Sequence, residues 1–344
     1  MRIGMLTAGG DCPGLNAVIR AVTRSAIGQG DEAVGIMRGY RGLAEGESMD
    51  LDQRRVSGIL PLGGTILRTS SFEPVAEGAV DSVVAAFERD RLDAVVAIGG
   101  EHTMEITRML HENEGLPLIG VPKTIDNDIV GTDFTFGFDT AVHVVMEAID
   151  RLHTTAQSHD RVMVVEVMGR NAGWIALYGG LAGGADGIVI PEVDTTCEEL
   201  AAAVTKRHDR GKSFSIIVVA EGANLAFESG EVRQIRASDE TDEYGYVRLG
   251  GIGAALATEL EAMTGYEART VVLGHIQRGG TPTAHDRILA TRYGAAAYEL
   301  AAAGRFGRMV SLRGNEIDSV PLGEVRGIKT VDLDLLEIAQ RFFA

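Results

Sequence analysis

Ala94-Val95-Val96-Ala97-Ile98-Gly99-Gly100-Glu101-His102-Thr103 is the stretch on which the reading of the fold turns. Five apolar residues in an unbroken run suit a strand covered on both faces. The glycine pair breaks the run, and a helical pattern resumes over 103–112. Ser215-Ile216-Ile217-Val218-Val219-Ala220 repeats the apolar run, and the same alternation extends along the chain. Strands are expected at 2–7, 93–98, 116–121, 161–167, 187–190, 214–220, 269–273 and 308–313. Helices are expected at 15–28, 76–90, 103–112, 139–157, 171–182, 196–209, 251–264 and 284–303. The pattern predicts an α/β protein with doubly wound, mainly parallel sheets, and 344 residues are enough for two such lobes. The polar stretch 222–248, with its acidic cluster Asp239-Glu240-Thr241-Asp242-Glu243, reads as an exposed, solvated loop.

Composition excludes several classes of function. Hydrophobic residues make up 45% of the chain and charged residues 24%, as in ordinary globular proteins. No apolar run approaches the ~18–20 residues that span a bilayer. Met1 to Thr7 reads as a first strand rather than a signal peptide. The formal charge of −17, with no dense Lys/Arg block, argues against nucleic acid or a membrane as partner. Cys12 and Cys197 alone cannot make a disulfide framework, which fits a cytoplasmic location.

Glycines cluster where strands are expected to end, which is where open parallel sheets bind ligands. Gly9-Gly10-Asp11-Cys12-Pro13-Gly14-Leu15-Asn16 joins the first strand to the first helix. It lets the backbone approach a phosphate and offers helix N–H groups, although it matches neither the P-loop nor the GxGxxG pattern. Gly99-Gly100-Glu101-His102-Thr103 repeats the logic, and Glu101 is the candidate ligand for Mg²⁺, a hard cation that takes carboxylate and phosphate oxygens. Pro122-Lys123-Thr124-Ile125-Asp126-Asn127-Asp128 places two carboxylates, an amide, a hydroxyl and an ammonium together. That set suits a base and charge stabilisation for phosphoryl transfer to a hydroxyl, and read alone it suits a capped polar turn equally well. Arg161, Arg170, Arg269 and Arg278, with Glu221 and His275, also lie near strand ends, and arginine matches phosphate bidentately.

Together with Val167-Met168-Gly169-Arg170 and Leu273-Gly274-His275-Ile276-Gln277-Arg278-Gly279-Gly280, these segments are similar in order and spacing to the 6-phosphofructokinase family of bacteria, between its ATP-dependent and pyrophosphate-dependent groups. The resemblance implies a donor lobe, 1–137 plus 277–326, and a sugar-phosphate lobe, 138–276 plus 327–344. It implies Mg²⁺-dependent transfer to the 1-hydroxyl of fructose 6-phosphate. Asp126 would be the general base, supported by Thr124, Lys123 and Asp128. Met168, Gly169, Arg170 and Glu221 would hold the sugar, and Arg269, His275 and Arg278 its 6-phosphate. In the family's homotetramers the arginines matching Arg161 and Arg269 serve a neighbouring subunit, so active sites are shared. Gly9, Gly10, His102 and Thr103 would meet the donor, and Arg68 would replace an arginine that relatives often carry at Ser71.

The donor side departs from the common ATP-dependent pattern. His102 and Lys123 stand where that pattern has glycine, and Ile106 stands where it has a small residue. Pyrophosphate-dependent relatives carry a bulkier Asp matching His102 and a Lys matching Lys123. Bulk at His102 and Ile106 is expected to disfavour ATP, which makes pyrophosphate the favoured donor and ATP the second. Another ketose phosphate as acceptor, or a non-catalytic sugar-phosphate-binding subunit, are the competing readings. Arg20 and Arg24 match arginines of the bacterial effector site, but Gln53 and His153 break the rest of that set.

Overall fold

A computed structural model describes residues 1–226, 232–241 and 247–343. In chain order the first elements are β1 (Arg2–Thr7), α1 (Leu15–Gly28), β2 (Glu32–Ile36), α2 (Gly39–Glu45), β3 (Ser48–Leu51), α3 (Val80–Arg89), β4 (Ala94–Gly99), α4 (Glu101–Glu114) and β5 (Leu118–Pro122). Then come α5 (Phe138–His159), β6 (Val162–Val167), α6 (Trp174–Ala182), β7 (Gly187–Val189), β8 (Thr195–Thr196), α7 (Cys197–Asp209) and β9 (Ser215–Ala220). The remainder is β10 (Asn224–Ala226), β11 (Val232–Gln234), β12 (Arg236–Thr241), β13 (Val247–Leu249), α8 (Ile252–Thr264), β14 (Ala268–Val272), α9 (Ala284–Ala302), β15 (Arg308–Arg313), β16 (Glu316–Pro321) and α10 (Leu333–Gln340). The chain forms two compact units, Met1–Thr140 with Arg278–Gly327, and Ala141–Gln277 with Ile328–Ala344.

The first unit is built on a seven-stranded sheet in the order β16-β15-β5-β4-β1-β2-β3. Its five central strands run parallel, and β3 and β16 pair antiparallel at the two edges. β4 is buried along its whole length, as its unbroken apolar run requires. Strand order reverses at β1, with β2 on one side and β4 on the other. The turns after β1 and β4 therefore diverge and leave open the position where doubly wound sheets bind ligands. Gly99 closes β4 because α4 approaches too tightly for a side chain: a Cβ there would lie 2.2 Å from Thr103 Oγ1.

The second unit carries a fully parallel four-stranded sheet, β14-β6-β9-β7. β6 reads Val-Met-Val-Val-Glu-Val and is buried throughout, so Glu166 is a carboxylate inside an apolar strand. Both of its oxygens are used. Gly251 N donates to Oε1 at 3.1 Å and Gly253 N to Oε2 at 2.8 Å, so the side chain caps α8. The helix start supplies N–H groups and a positive dipole end to the anion.

Short elements depart from the sequence reading. β2, α2, β3, β16 and α10 were not anticipated, and α4 begins two residues earlier than expected, which puts Glu101 and His102 in its first turn. The stretch 222–248 is not simply a solvated loop. β10 to β13 lie within it, and Ala223 and Leu225 are fully buried. Asp239, Glu240 and Thr241 fall on β12, while Asp242 and Glu243 lie outside the described residues. β10, β11 and β13, with three residues each, are too short to display a period of two. Replacing Glu166 by Ala leaves the exposed Gly251 and the buried Gly253 N–H groups without their acceptor, and a loss of about 1–3 kcal/mol, chiefly from Gly253, is expected in denaturant unfolding. Unchanged unfolding would remove the capping role.

Candidate active site

In the first unit, the loop after β5 gathers most of the expected chemistry. Lys123 is buried, with 4% of its surface exposed, and its Nζ donates to the carbonyl of Gly10 in the turn after β1. Burial lowers the Lys123 pKa to about 8, with Cys12, Asp11 and Asp126 opposing the shift and Arg278 adding to it. The Arg278 guanidinium also lies on the Gly10 turn. A Cβ on Gly10 would come within 2.9 Å of Nη1. Arg278 thus belongs to the first unit and stands beside Lys123.

Thr124 and Asn127 shape this loop. Thr124 Oγ1 accepts the N–H of Asp126 at 3.0 Å, and its hydroxyl also bonds the Asp128 carboxylate. Asn127 is fully buried at φ 50°, where its Oδ1 accepts Thr135 N at 3.0 Å. Asn127 is a brace that the sequence reading left without a role, and αL tolerance is the physical reason an Asn stands there. Asp128 has its pKa raised to about 7, first by burial, then by Asp126, with a further contribution from Glu101. Asp128 thus senses both other carboxylates. Among the described residues no group of three His, Cys, Asp or Glu side chains encloses a metal position.

The other donor-side candidates are arranged less uniformly. Gly9 N donates to Ser70 O at 3.1 Å, and Gly9 O accepts Thr69 Oγ1 at 2.5 Å, so segment 68–71 is tied to the same turn. Arg68, at φ 56° in this segment, is exposed. His102 faces Glu73, Nε2 to Oε2 at 3.3 Å. Thr103 is 4% exposed, with its side chain packed under Gly99, so its hydroxyl is not on an open face. Ile106 needs a correction. It is 3% exposed inside a core cluster with Tyr40 and Leu43, against which Phe72 also packs, so steric bulk toward a donor rests on His102.

In the second unit a cavity of about 520 Å³ is lined by Met168, Glu221 and His275, together with Glu166, Gly250 and Gly251. The loops that carry these groups interlock. Glu221 N donates to Val167 O at 2.8 Å and Gly222 N to Gly169 O at 3.0 Å. A Cβ on Gly222 would fall 1.9 Å from Arg170 O, so only glycine admits the Met168-Gly169-Arg170 turn so close. Gln277 is fully buried; its Oε1 accepts Met168 N at 3.3 Å and its Nε2 donates to Gly274 O at 3.0 Å. Glu166 and Gln277 thus brace this site, and the sequence reading singled out neither.

Arg161 and Arg269 lie elsewhere on this sheet. Arg161 immediately precedes β6, and Arg269 is the second residue of β14. Both are at amino ends, whereas Met168, Glu221 and His275 follow carboxyl ends. About 20 Å of strand separates the two levels. These two arginines thus lie near strand ends, as expected, but at the amino ends.

Asp128 supplies a test with a definite sign. Its raised pKa means that the folded chain holds a proton which the unfolded chain releases at an ordinary value of 3.8. The associated stability is complete below that value and is lost as pH rises through about 7. Asp128→Asn cannot ionise. The variant is expected to melt higher than the parent at pH 8, by on the order of 1–3 kcal/mol, with the difference vanishing near pH 4. Parallel melting curves at both pH values would contradict this.

A family model described as Phosphofructokinase matches residues 2–301. An ATP-dependent 6-phosphofructokinase 2 of Streptomyces coelicolor is 53% identical, with 100% of both chains covered. A pyrophosphate–fructose 6-phosphate 1-phosphotransferase of Amycolatopsis mediterranei is 52% identical, again over 100% of both. Among solved structures, phosphofructokinase from Saccharomyces cerevisiae superposes with a TM-score of 0.79 at 30% identity, covering 94% of this chain and 45% of the yeast chain. Relatives carrying either donor name are thus equally similar. The chain belongs to the phosphofructokinase family.

Proposed function

We propose that this protein transfers a phosphoryl group to the 1-hydroxyl of fructose 6-phosphate, giving fructose 1,6-bisphosphate, with pyrophosphate as the favoured donor. The observation that carries the reading is the convergence of Lys123, Asp126, Asp128 and the Gly10 turn in the first unit, where β1, β4 and β5 end. A buried ammonium beside a glycine turn and two unequal carboxylates suit charge stabilisation and proton transfer, the two things phosphoryl transfer asks of a protein.

The carboxylates divide the work by environment. Burial and the nearby Asp126 raise the Asp128 pKa to about 7, and Asp126 is the carboxylate assigned as base. As the sugar oxygen attacks phosphorus, Asp126 takes its proton. The new oxygen–phosphorus bond forms while the bond to the departing phosphate breaks. Lys123 offsets the charge gathering on the donor oxygens. Glu101, Asp126 and Asp128 do not by themselves enclose a metal position, so a divalent cation here would be held in part by water and donor oxygens. Mg²⁺ keeps water and phosphate oxygens and needs only one or two carboxylates, so Glu101 is the assigned ligand. When bound, it would add positive charge at the donor phosphates.

For the acceptor, Met168, Gly169, Arg170 and Glu221 hold the sugar, and His275 and Arg278 its 6-phosphate. Arg161 and Arg269 act on the sugar phosphate of a neighbouring copy, so the working form is a homo-oligomer, a tetramer with shared sites. Their place at the amino ends of the second unit's sheet, away from its cavity, supports that assignment. The enzyme is assigned to the cytoplasm; no helix among the described residues is long and apolar enough to cross a membrane.

Pyrophosphate is favoured because Lys123 brings a positive charge to the donor turn and His102 places a side chain at the start of α4. ATP remains the second reading, favoured by the exposure of Arg68 and by the removal of Ile106 from the steric argument. Purified protein with Mg²⁺ and fructose 6-phosphate, given pyrophosphate or ATP in parallel, is expected to show the higher kcat/KM with pyrophosphate; the reverse order would reassign the donor. Asp126→Ala is expected to lower kcat by on the order of 10²–10⁴ with folding intact, and near-normal turnover would exclude it as base. His102→Gly is expected to raise the use of ATP relative to pyrophosphate. A constant donor ratio would show that position 102 does not set preference.

A further inference from the structure

The two arginines at the amino ends of β6 and β14 do not stand alone. In the parallel pairing Ala268 opposes Val162, so the preceding residues, Glu267 and Arg161, stand opposite each other. Val162 N donates to Glu267 O at 3.0 Å, which fixes that register. Along the same strand Glu267 and Arg269 are two residues apart and share a face. One carboxylate therefore meets both guanidinium groups. Arg161 Nε lies 3.0 Å from Oε2, and Arg269 Nη2 pairs with Oε1. Arg161 holds the Glu267 carboxyl below the usual carboxylate range, with Arg269 adding to the effect.

We infer that Glu267 is a positioning residue that gathers Arg161 and Arg269 into one anion-binding pair for the acceptor phosphate. The inference rests on the acceptor reading of those two arginines given above. Its physical basis is the length of the two side chains. Each guanidinium hangs on a flexible stem, and a phosphate that must immobilise both loses affinity to that ordering. Bridging by Glu267 carries out the convergence beforehand. A guanidinium has five N–H donors, so engagement by one carboxylate does not exhaust it. The second carboxylate nearby limits Arg269 in a different way. Glu261 Oε2 accepts Ala268 N at 2.9 Å and lies 3.6 Å from Arg269 Nη1, which also donates to Ala268 O at 2.7 Å. One side of Arg269 is thus anchored to its own strand, and Glu267 sets the direction of the other.

The bridge contributes little to stability, because its members are partly exposed, with Arg269 52% and Glu267 39% open to solvent. Its effect belongs in substrate affinity. A glutamine has the same shape but presents one amide NH₂ toward a guanidinium, donor against donor, so it can hold only one arginine.

The test is steady-state kinetics on the full chain, with fructose 6-phosphate varied at saturating donor, for Glu267→Gln, Arg161→Ala, Arg269→Ala and the double variant Arg161→Ala/Glu267→Gln. Gel filtration and melting curves check that assembly and folding are retained. Glu267→Gln is expected to raise KM about 3- to 10-fold with kcat within about twofold. In the Arg161→Ala background the same change is expected to add much less, because there is no longer a pair to align. A KM that is unchanged or lowered in Glu267→Gln, or effects that simply multiply in the double variant, would overturn the positioning role while the acceptor reading stands. Normal KM in both Arg161→Ala and Arg269→Ala would instead remove the acceptor reading itself, and this inference with it.

Discussion

The buried ammonium of Lys123 is the contact on which the first unit's chemistry depends. Lys123 immediately follows β5, and its side chain reaches the Gly10 carbonyl in the turn after β1, although β4 lies between those strands. The turn after β4 also packs on this residue: a Cβ on Gly100 would stand in ordinary van der Waals contact with the Lys123 carbonyl, at 3.6 Å. Taking an ammonium out of water is costly, and an apolar residue of similar size would fill the same space at less expense. What such a residue could not supply is a positive charge held against a glycine turn, among Asp11, Asp126 and Arg278. The lowered pKa of Lys123 records that compromise: burial weakens the ammonium's hold on its proton, and the neighbouring anions partly restore it.

The same burial separates two carboxylates that look equivalent in sequence. Asp126 and Asp128 flank a single Asn, and either could be read as the base. Asn127 turns the chain through a positive φ and is tied back to Thr135, so the two carboxylates experience different surroundings. Asp128 is raised by burial and by its neighbour, a familiar consequence of placing like charges close together. The asymmetry comes from the loop's shape, and the loop's shape comes from the amide between the two acids.

Long buried elements and glycine-marked strand ends were legible from residues alone. β4 is an unbroken apolar run, β6 and β9 are apolar but for Glu166 and Ser215, and the turns after β1, β4 and β5 carry their polar groups where parallel sheets present ligands. The short edge elements were not legible, because β3 with four residues and β10 with three offer no periodicity to read. Ile106 was misread because sequence places a side chain on a helix but does not say which face packs. Glu166 and Gln277 were missed for a related reason. Each is a polar residue whose partners lie far along the chain, at Gly251 and Gly253 for one and at Met168 for the other. A signal did exist for Glu166, since a lone acid in an otherwise apolar strand requires a partner. The amino-end placement of Arg161 was also available in principle, because it precedes rather than follows its apolar run.

Glu166 bears on how the second unit deals with phosphate. A helix start beside a cavity is ordinarily a place for an anion, and the start of α8 borders the cavity of Met168, Glu221 and His275. Here the position is already filled from within, because Glu166 takes the N–H groups of Gly251 and Gly253. A second anion at the same amides would meet the carboxylate's charge at close range. The helix dipole is thereby committed to the protein's own strand. Arginines suit phosphate recognition better than a helix end where the phosphate belongs to another copy of the chain, because a long guanidinium stem can cross an interface that a backbone amide cannot. The two carboxylates thus do opposite things in the second unit: Glu166 occupies a helix start at the cavity, while Glu267 bridges Arg161 and Arg269 at the other end of the same sheet.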